Sequence, residues 1–180
     1  LGDRVRREVP RLDLLANNAG LMAIDESRTV DGFEMQFGVN HLGHFVLTAE
    51  LTPLLLATPG ARVVTMASMG HRAGRMDLDD PMFERRPYRR WPAYFQSKLA
   101  NLLFTLELDR RVRAAGVDTL ALAAHPGYAH TDLGHEGSGW LNRLVDPLDG
   151  LGAQSAARGA EPFLRAATDP EVRSGEYYGP

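Results

Sequence analysis

The chain alternates short apolar runs with longer amphipathic stretches. Leu12-Asp13-Leu14-Leu15-Ala16 is a short apolar run that ends in Asn17-Asn18-Ala19-Gly20. Its length and its Asn/Gly ending predict a buried strand entering a tight loop. The residues before it, 3–10, are charged with scattered apolar positions and stop at Pro10, like the tail of a helix. Residues 31–57 predict a long helix, with Phe33, Phe37, Leu42, Phe45, Val46, Ala49 and Leu54 roughly in helical period. Gly38, Gly43 and Pro53 interrupt it, so an irregularity or kink is expected. After Pro59-Gly60, the run Ala61 to Ser68 predicts a second strand, β-branched at its centre. Residues 69–92 are polar, carry Gly70, Gly74, Pro81, Pro87 and Pro92, and predict a long irregular insert, functional or mobile.

Residues 93–115 give the clearest helix. Phe95, Leu99, Leu102, Leu103 and Leu106 form an apolar stripe, and Gly116 can cap the end. Val117 to Ala124 predicts a third strand that ends at His125-Pro126-Gly127. Gly152 to Ala167 predicts another helix, and Tyr177-Tyr178 begins a last strand. Strands alternating with helices imply βαβ units, a parallel sheet and right-handed crossovers. Strands apolar along their whole length suit a sheet covered by helices on both faces. There is no repeat, linker or second domain, so residues 1–180 read as a single domain.

Composition narrows the class. The chain has 180 residues, 44 % apolar and 24 % charged, which is ordinary globular usage and excludes a disordered or low-complexity chain. A net charge of −3 gives no global pull toward nucleic acid or anionic lipid. No apolar run is long enough for a membrane helix. The absence of cysteine excludes a disulfide frame and a thiolate site and fits a reducing compartment, so a cytoplasmic protein is expected.

The sharpest chemical signal is Tyr94-Phe95-Gln96-Ser97-Lys98. A tyrosine and a lysine four apart share one helix face. An ammonium beside a phenol favours the phenolate, and a phenol so tuned can exchange a proton near neutral pH. Ser68 ends a predicted parallel strand, where open α/β sheets place their ligands. It can donate a hydrogen bond to a substrate oxygen whose charge changes during reaction. Asn17-Asn18-Ala19-Gly20 and Pro126-Gly127, with Thr131 nearby, end two further strands at the same edge.

Taken in order, Asn17-Asn18-Ala19-Gly20, Asn40 in Val39-Asn40-His41-Leu42-Gly43-His44-Phe45, Ser68, Tyr94 with Lys98, and Pro126-Gly127 resemble the short-chain dehydrogenase/reductase family over nearly the whole chain. The Asn40 segment, the insert with Asp77-Leu78-Asp79-Asp80, and Tyr94 through Asn101 resemble its retinol-dehydrogenase and WW-domain-oxidoreductase-like branch. Ser68 and Tyr94 stand 26 positions apart, a wider gap than the family norm and one this branch shares.

The resemblance implies a Rossmann-type doubly wound sheet of which this chain is the C-terminal part, with strands equivalent to 4-5-6-7. It also implies a catalytic tetrad of Asn40, Ser68, Tyr94 and Lys98. Tyr94 would exchange the proton with the carbonyl or alcohol oxygen. Lys98 would lower the Tyr94 pKa and hold the nicotinamide ribose. Ser68 would hold the substrate oxygen, and Asn40 would hold a water linking Lys98 to solvent. Asn17, Ala19 and Gly20 would lie by the adenosine side of the cofactor, with Pro126, Gly127 and Thr131 by the nicotinamide and Tyr94 and Lys98 between. The implied cofactor is NADP(H) or NAD(H), leaning to NADP(H).

The partner would be a small carbonyl/alcohol substrate, apolar in character, with no nucleic acid. The helices over 31–57 and 93–115 would offer a homodimer face. No glycine-rich pyrophosphate turn precedes Leu12, so the sequence is expected to be a fragment cut at both ends or the reading of an incomplete gene. On its own such a chain should bind dinucleotide poorly and associate through an exposed strand edge.

Blander readings cover the rest. His125, His130 and His135 recur every five residues, which does not put metal ligands on one helical face. Asp77, Asp79 and Asp80 lack the spacing of a calcium loop and are expected in a solvated insert. Arg85, Arg86, Arg89 and Arg90 are expected on a mobile, solvated flap. Trp140, Leu141 and Leu144 resemble the family's variable substrate lid, or pack a short helix on the core. A non-catalytic dinucleotide-sensing or interaction module on the same fold is the competing function. The tetrad discriminates, since a sensor has no need of a tuned Tyr/Lys pair.

Overall fold

The computed structural model describes residues 2–127 and 155–180. Helix α1 (Gly2–Glu8) leads to strand β1 (Leu14–Asn17). One helical turn, α2 (Met35–Phe37), runs through a π-helical segment at Gly38–Leu42 into α3 (Gly43–Ala57). Strand β2 (Arg62–Met66) is followed by a 3₁₀ turn at Met69–Ala73 and the long helix α4 (Arg90–Ala114). Strand β3 (Leu120–Ala124), helix α5 (Ala156–Thr168) and strand β4 (Tyr177–Tyr178) complete the described chain. The strands form one parallel sheet in the order β1-β2-β3-β4. This is the parallel α/β layering that the alternation of elements implied.

The sheet has two packed faces. Leu15 and Val63 point to α3 and pack with Leu51, Leu55 and Ala61, joined by Val5, Leu12, Leu47 and Leu108. Val64 and Leu122 point the other way and pack under α5 with Ala166 and Val172. Because side chains alternate along a strand, adjacent residues Val63 and Val64 serve opposite layers. β1 is different. Its Leu15 and Asn17 are buried while Leu14 is 37 % exposed. Among the described residues β1 has β2 as its one sheet neighbour. Among the described residues, the face of this strand that carries Leu14 therefore stays partly open. An apolar strand with an open edge templates association. In size-exclusion chromatography with light scattering, the 180-residue chain is expected to grow in mass with concentration. Leu14→Lys should return it toward monomer, and a monodisperse parent chain at all concentrations would contradict the edge model.

Three expectations change. The helix expected over 31–57 starts only at Met35, because Glu34 caps it: the carboxylate accepts from the backbone N–H groups of Gln36 and Phe37 at 2.9 and 2.6 Å. Phe33 is left outside, 41 % exposed. The expected irregularity is the π segment, which carries Asn40.

The stripe Phe95-Leu99-Leu102-Leu103-Leu106 is not the core face of α4. None of the five is buried, and Leu103 and Leu106 are exposed. The buried face carries Ala93, Tyr94, Ser97, Lys98, Ala100, Asn101 and Thr105. Gly116, at φ +67°, ends the helix as expected.

Asp79, Arg85 and Arg89 of the insert are exposed, as expected of a solvated segment, but other polar residues tie the insert to the fold. The Asp80 carboxylate is buried and accepts from the backbone N–H groups of Glu84, Arg85 and Arg86 at 2.7, 3.2 and 3.0 Å. Arg86 donates to Gln96 at 2.6 Å and lies over the Phe83 ring at 3.8 Å. Gln36 receives the Ala23 N–H at 2.7 Å and donates to the Tyr88 hydroxyl at 2.8 Å and the Arg90 carbonyl at 2.9 Å. The loop after β1 and the insert are thus tied to one buried amide.

Candidate active site

Parallel pairing brings the C-terminal ends of β1, β2 and β3 to one edge, and α4 crosses below it. The polar face of α4 explains the geometry. Tyr94, Ser97, Lys98, Asn101 and Thr105 recur at helical spacing and are all buried. Lys98 is 4 % exposed and donates to the Met66 carbonyl at the end of β2, at 3.2 Å. Its ammonium lies 5.8 Å from the centre of the Tyr94 ring. The expected pair is therefore brought together at the sheet edge.

Ser68 is the N-cap of the 3₁₀ turn, and its hydroxyl oxygen accepts from the Gly70 N–H at 3.1 Å. That bond engages an oxygen lone pair and leaves the hydroxyl hydrogen for Tyr94. Burial raises the Tyr94 pKa, and the Ser68 hydroxyl draws it back down. Burial lowers Lys98 to about 8. The largest influence on both groups is thus desolvation, which favours the neutral phenol and the neutral amine. The lowering of Tyr94 that was expected from Lys98 comes here from Ser68.

Asn40 is fully buried and acts as a clamp. Its Oδ1 accepts the Leu21 N–H at 2.7 Å, and its Nδ2 donates to the Leu21 carbonyl and to the Ser97 hydroxyl, each at 2.9 Å. Ser97 in turn donates to the Tyr94 carbonyl at 2.7 Å. The Asn40 carbonyl takes two side-chain donors, Asn101 Nδ2 and His44 Nδ1, both at 2.9 Å. That carbonyl therefore joins the π segment to α4 through Asn101. Asn101 also donates to the Met66 carbonyl at 3.0 Å and faces His41 Nδ1 at 3.1 Å. Ser97 and Asn101 escaped the sequence reading. Their signal was present: both continue the i, i+3, i+4, i+7 face of Tyr94 and Lys98.

The cofactor-binding candidates divide. Gly20 stands against Asn40 and Lys98, since a Cβ there would come within 3.2 Å of Asn40 Oδ1 and 3.4 Å of Lys98 Nζ. Ala19 beside it is exposed. Gly127 turns the chain at φ +68°, with Pro126 before it half-buried. Asn17 is 0 % exposed; its amide nitrogen donates to Thr48 at 3.0 Å and ties the end of β1 to α3, while its Oδ1 is buried with no partner among the described residues. Thr131, His130, His135, Trp140, Leu141 and Leu144 lie outside the described residues. No group of three or more potential metal ligands occurs among the described residues.

The model of the short chain dehydrogenase family matches residues 1–141. The chain belongs to the short-chain dehydrogenase family. Retinol dehydrogenase 13 of Homo sapiens is 42 % identical over 97 % of this chain and 54 % of its own length. The chain therefore spans about half the length of the curated dehydrogenases it matches. A crystal structure of an uncharacterised Mycobacterium paratuberculosis protein superimposes with a TM-score of 0.79 at 45 % identity, over 99 % of this chain and 58 % of that one. A short chain dehydrogenase of Escherichia coli CFT073 solved with NADPH shares the fold, with a TM-score of 0.69 at 22 % identity, over 99 % of this chain and 66 % of that one. Within the dehydrogenase family the retinol-dehydrogenase-like branch is the one this chain resembles.

Proposed function

We propose that the protein carrying this chain is an NAD(P)-dependent oxidoreductase that interconverts an alcohol and a carbonyl on a small apolar substrate. One observation supports this above the others: a buried phenol, a donor hydroxyl and a buried ammonium meet at the C-terminal edge of a parallel sheet.

The residues present fit a nicotinamide dinucleotide. The Lys98 ammonium has three hydrogens and one protein acceptor among the described residues, the Met66 carbonyl. The remaining hydrogens suit the hydroxyls of a ribose. Gly20 leaves bare backbone beside them, and Ala19, Pro126 and Gly127 would continue the cradle. When bound, the dinucleotide supplies the hydride. Tyr94 supplies the proton to the carbonyl oxygen in reduction, or takes it from the alcohol in oxidation. Ser68 would turn its hydroxyl hydrogen from Tyr94 to the same oxygen and so fix the substrate beside Tyr94. Asn40 and Ser97 hold the Leu21 and Tyr94 backbones, and so set the distance from the β1 loop to α4.

The reading leans to NADP(H) on branch resemblance, and the retinol dehydrogenases that match suggest an apolar aldehyde or alcohol. The absence of cysteine supports a cytoplasmic site of action. No helix among the described residues is long and apolar enough to cross a membrane. The test is turnover by the full-length protein, with NADPH and NADH against a panel of aldehydes and ketones. Oxidation of one cofactor with an apolar aldehyde is expected. Tight dinucleotide binding with no turnover on any carbonyl would favour the sensing module instead.

A homodimer is part of the proposal. Phe45 (49 % exposed) and Val46 (57 %) on α3 and Leu103 (47 %) and Leu106 (54 %) on α4 leave apolar surface open. Its ring contacts run on through Phe104, 5.8 Å from Phe45. Exposed apolar surface of this kind marks an association site. Leu103→Glu with Leu106→Glu is expected to turn a dimer of the full-length protein into a monomer in sedimentation velocity. A wild-type monomer would remove this part of the reading.

A further inference from the structure

Beside the tetrad stands a group of rings that the proposed chemistry does not use. Tyr177, from the short edge strand β4, lies between two imidazoles. Its ring centre is 5.4 Å from that of His71 and 5.0 Å from that of His125. Each imidazole pins one wall of the site. His71 Nδ1 donates to the Ser68 carbonyl at 2.6 Å, while the His71 backbone N–H donates to the same oxygen at 3.0 Å. His125 Nδ1 accepts from the Gly127 N–H at 3.1 Å. The two bonds demand opposite tautomers: hydrogen on Nδ1 in His71, hydrogen on Nε2 in His125.

The two pins act on parts that must keep a fixed separation. His71 holds the turn that presents the Ser68 hydroxyl, and His125 holds the Pro126-Gly127 turn. The Tyr177 hydroxyl adds little. It lies 3.5 Å from His71 Nδ1, whose hydrogen already goes to Ser68. Burial also pushes this phenol up to about 12, so it stays neutral. What Tyr177 contributes is the thickness of its ring. The strand behind it is held in place, because the Ala123 N–H donates to the Glu176 carbonyl at 3.0 Å and the His125 N–H to the Tyr178 carbonyl at 2.9 Å. Gly179, just past the strand, leaves no slack: a Cβ there would collide with the His125 imidazole.

We propose that Tyr177 is a positioning residue, an aromatic wedge that holds His71 and His125 apart and thereby sets the spacing between the Ser68 hydroxyl and the Pro126-Gly127 turn. The idea rests on the oxidoreductase reading for its consequence in turnover, but not for its geometry. A shift of about 1 Å between reacting groups can cost about a hundredfold in rate, so a smaller, flexible side chain in the wedge matters.

Protonation gives a second signature. The titratable and charged groups facing His125 among the described residues are His71 and Arg72 from the 3₁₀ turn and Tyr177 from β4. Burial first, and then these two neighbouring bases, hold His125 below the ordinary imidazole range. A proton on its Nδ1 would set two N–H groups against each other at Gly127 and release the turn.

The experiment uses the full-length protein with NADPH and nonanal as the probe pair, together with nitrogen-15 spectra that report imidazole tautomers. Tyr177→Leu is expected to lower kcat about tenfold or more, while Tyr177→Phe stays within about threefold of wild type. In wild type His71 should carry its hydrogen on Nδ1 and His125 on Nε2, and Tyr177→Leu should erase the His71 preference. His125→Asn keeps an acceptor for Gly127 but cannot titrate, so the fall of activity at acid pH should flatten. A folded Tyr177→Leu variant with wild-type kcat or unchanged tautomers overturns the wedge, as does a Tyr177→Phe variant as damaged as Tyr177→Leu. Should Tyr177→Leu not fold, Tyr177→Met decides by the same two readouts: a fall in kcat with loss of the His71 preference supports the wedge, and wild-type values overturn it. Should wild type turn over no carbonyl, the oxidoreductase reading falls, and the tautomers of Tyr177→Leu still decide the wedge.

Discussion

Replacing Tyr94 by phenylalanine is expected to lower kcat about 10²- to 10⁴-fold, the range that loss of a positioned general acid brings, while the NADPH dissociation constant stays within about twofold. The substitution removes one hydroxyl from a ring that is 8 % exposed and leaves the ring's packing against Trp91 and Phe95, at 6.2 and 6.0 Å, in place. Binding should survive for that reason, and the chemical step should not. The environment also sets the direction in which Tyr94 works best. Burial raises its pKa and Ser68 draws it only part of the way back, so the phenol holds its proton at neutral pH. A protonated phenol is what carbonyl reduction needs. Alcohol oxidation needs the phenolate, so its rate should climb as the pH rises above neutral while reduction does not. Equal turnover by Tyr94→Phe and wild type would remove Tyr94 as the proton donor. An oxidation rate flat in pH would remove it as the base.

The parts of this molecule that were legible in the sequence are those in which one residue type has one common use. Val63-Val64 between turn residues reads as a strand, and Gly116 after a long helical period reads as its cap. Tyr94 and Lys98 could be paired because helical spacing alone puts them on one face. The face itself was misassigned on α4. Leucines are expected inside, yet Leu103 and Leu106 point outward while Ser97, Lys98, Asn101 and Thr105 are buried. A helix that carries a site spends its inner face on polar groups that must each find a partner. Its apolar residues are left for another surface.

The insert was misread for a related reason. Asp80, Gln96, Gln36 and Tyr88 are ordinary polar letters, and only the fold shows that Asp80 closes three backbone N–H groups and that Gln36 joins the 23–24 loop to residues 88–90. Asn17 shows the limit from the other side. Its place in a motif suggested a ligand, and the fold adds a second use: the amide nitrogen is spent on Thr48, while Oδ1 stays buried without a partner among the described residues.

Lys98→Met is expected to make the ligand-free protein more stable and the enzyme inactive. The folded chain holds an ammonium that is 4 % exposed and has the Met66 carbonyl, at 3.2 Å, as its one acceptor among the described residues. Burial lowers its pKa from 10.5 to about 8. Between those values the folded protein binds fewer protons than the unfolded chain, so this group makes stability rise with pH across the window. Below about pH 8 both states are protonated and the whole penalty stands, on the order of 3 kcal/mol at about 1.4 kcal/mol for each pH unit of the window.

Methionine fills a similar volume without a charge, and the Met66 carbonyl keeps its other donor, Asn101 at 3.0 Å, so no acceptor is orphaned. The melting temperature of Lys98→Met should therefore exceed that of wild type at pH 7, and the gap should close as the pH approaches 10.5. Saturating NADPH should reverse the order, because the ammonium that burdens the free protein is the group that meets the ribose hydroxyls. A variant that melts below wild type at pH 7 without cofactor would show that Lys98 is not strained by burial. A variant that gains as much stability from NADPH as wild type does would show that Lys98 is not what holds it.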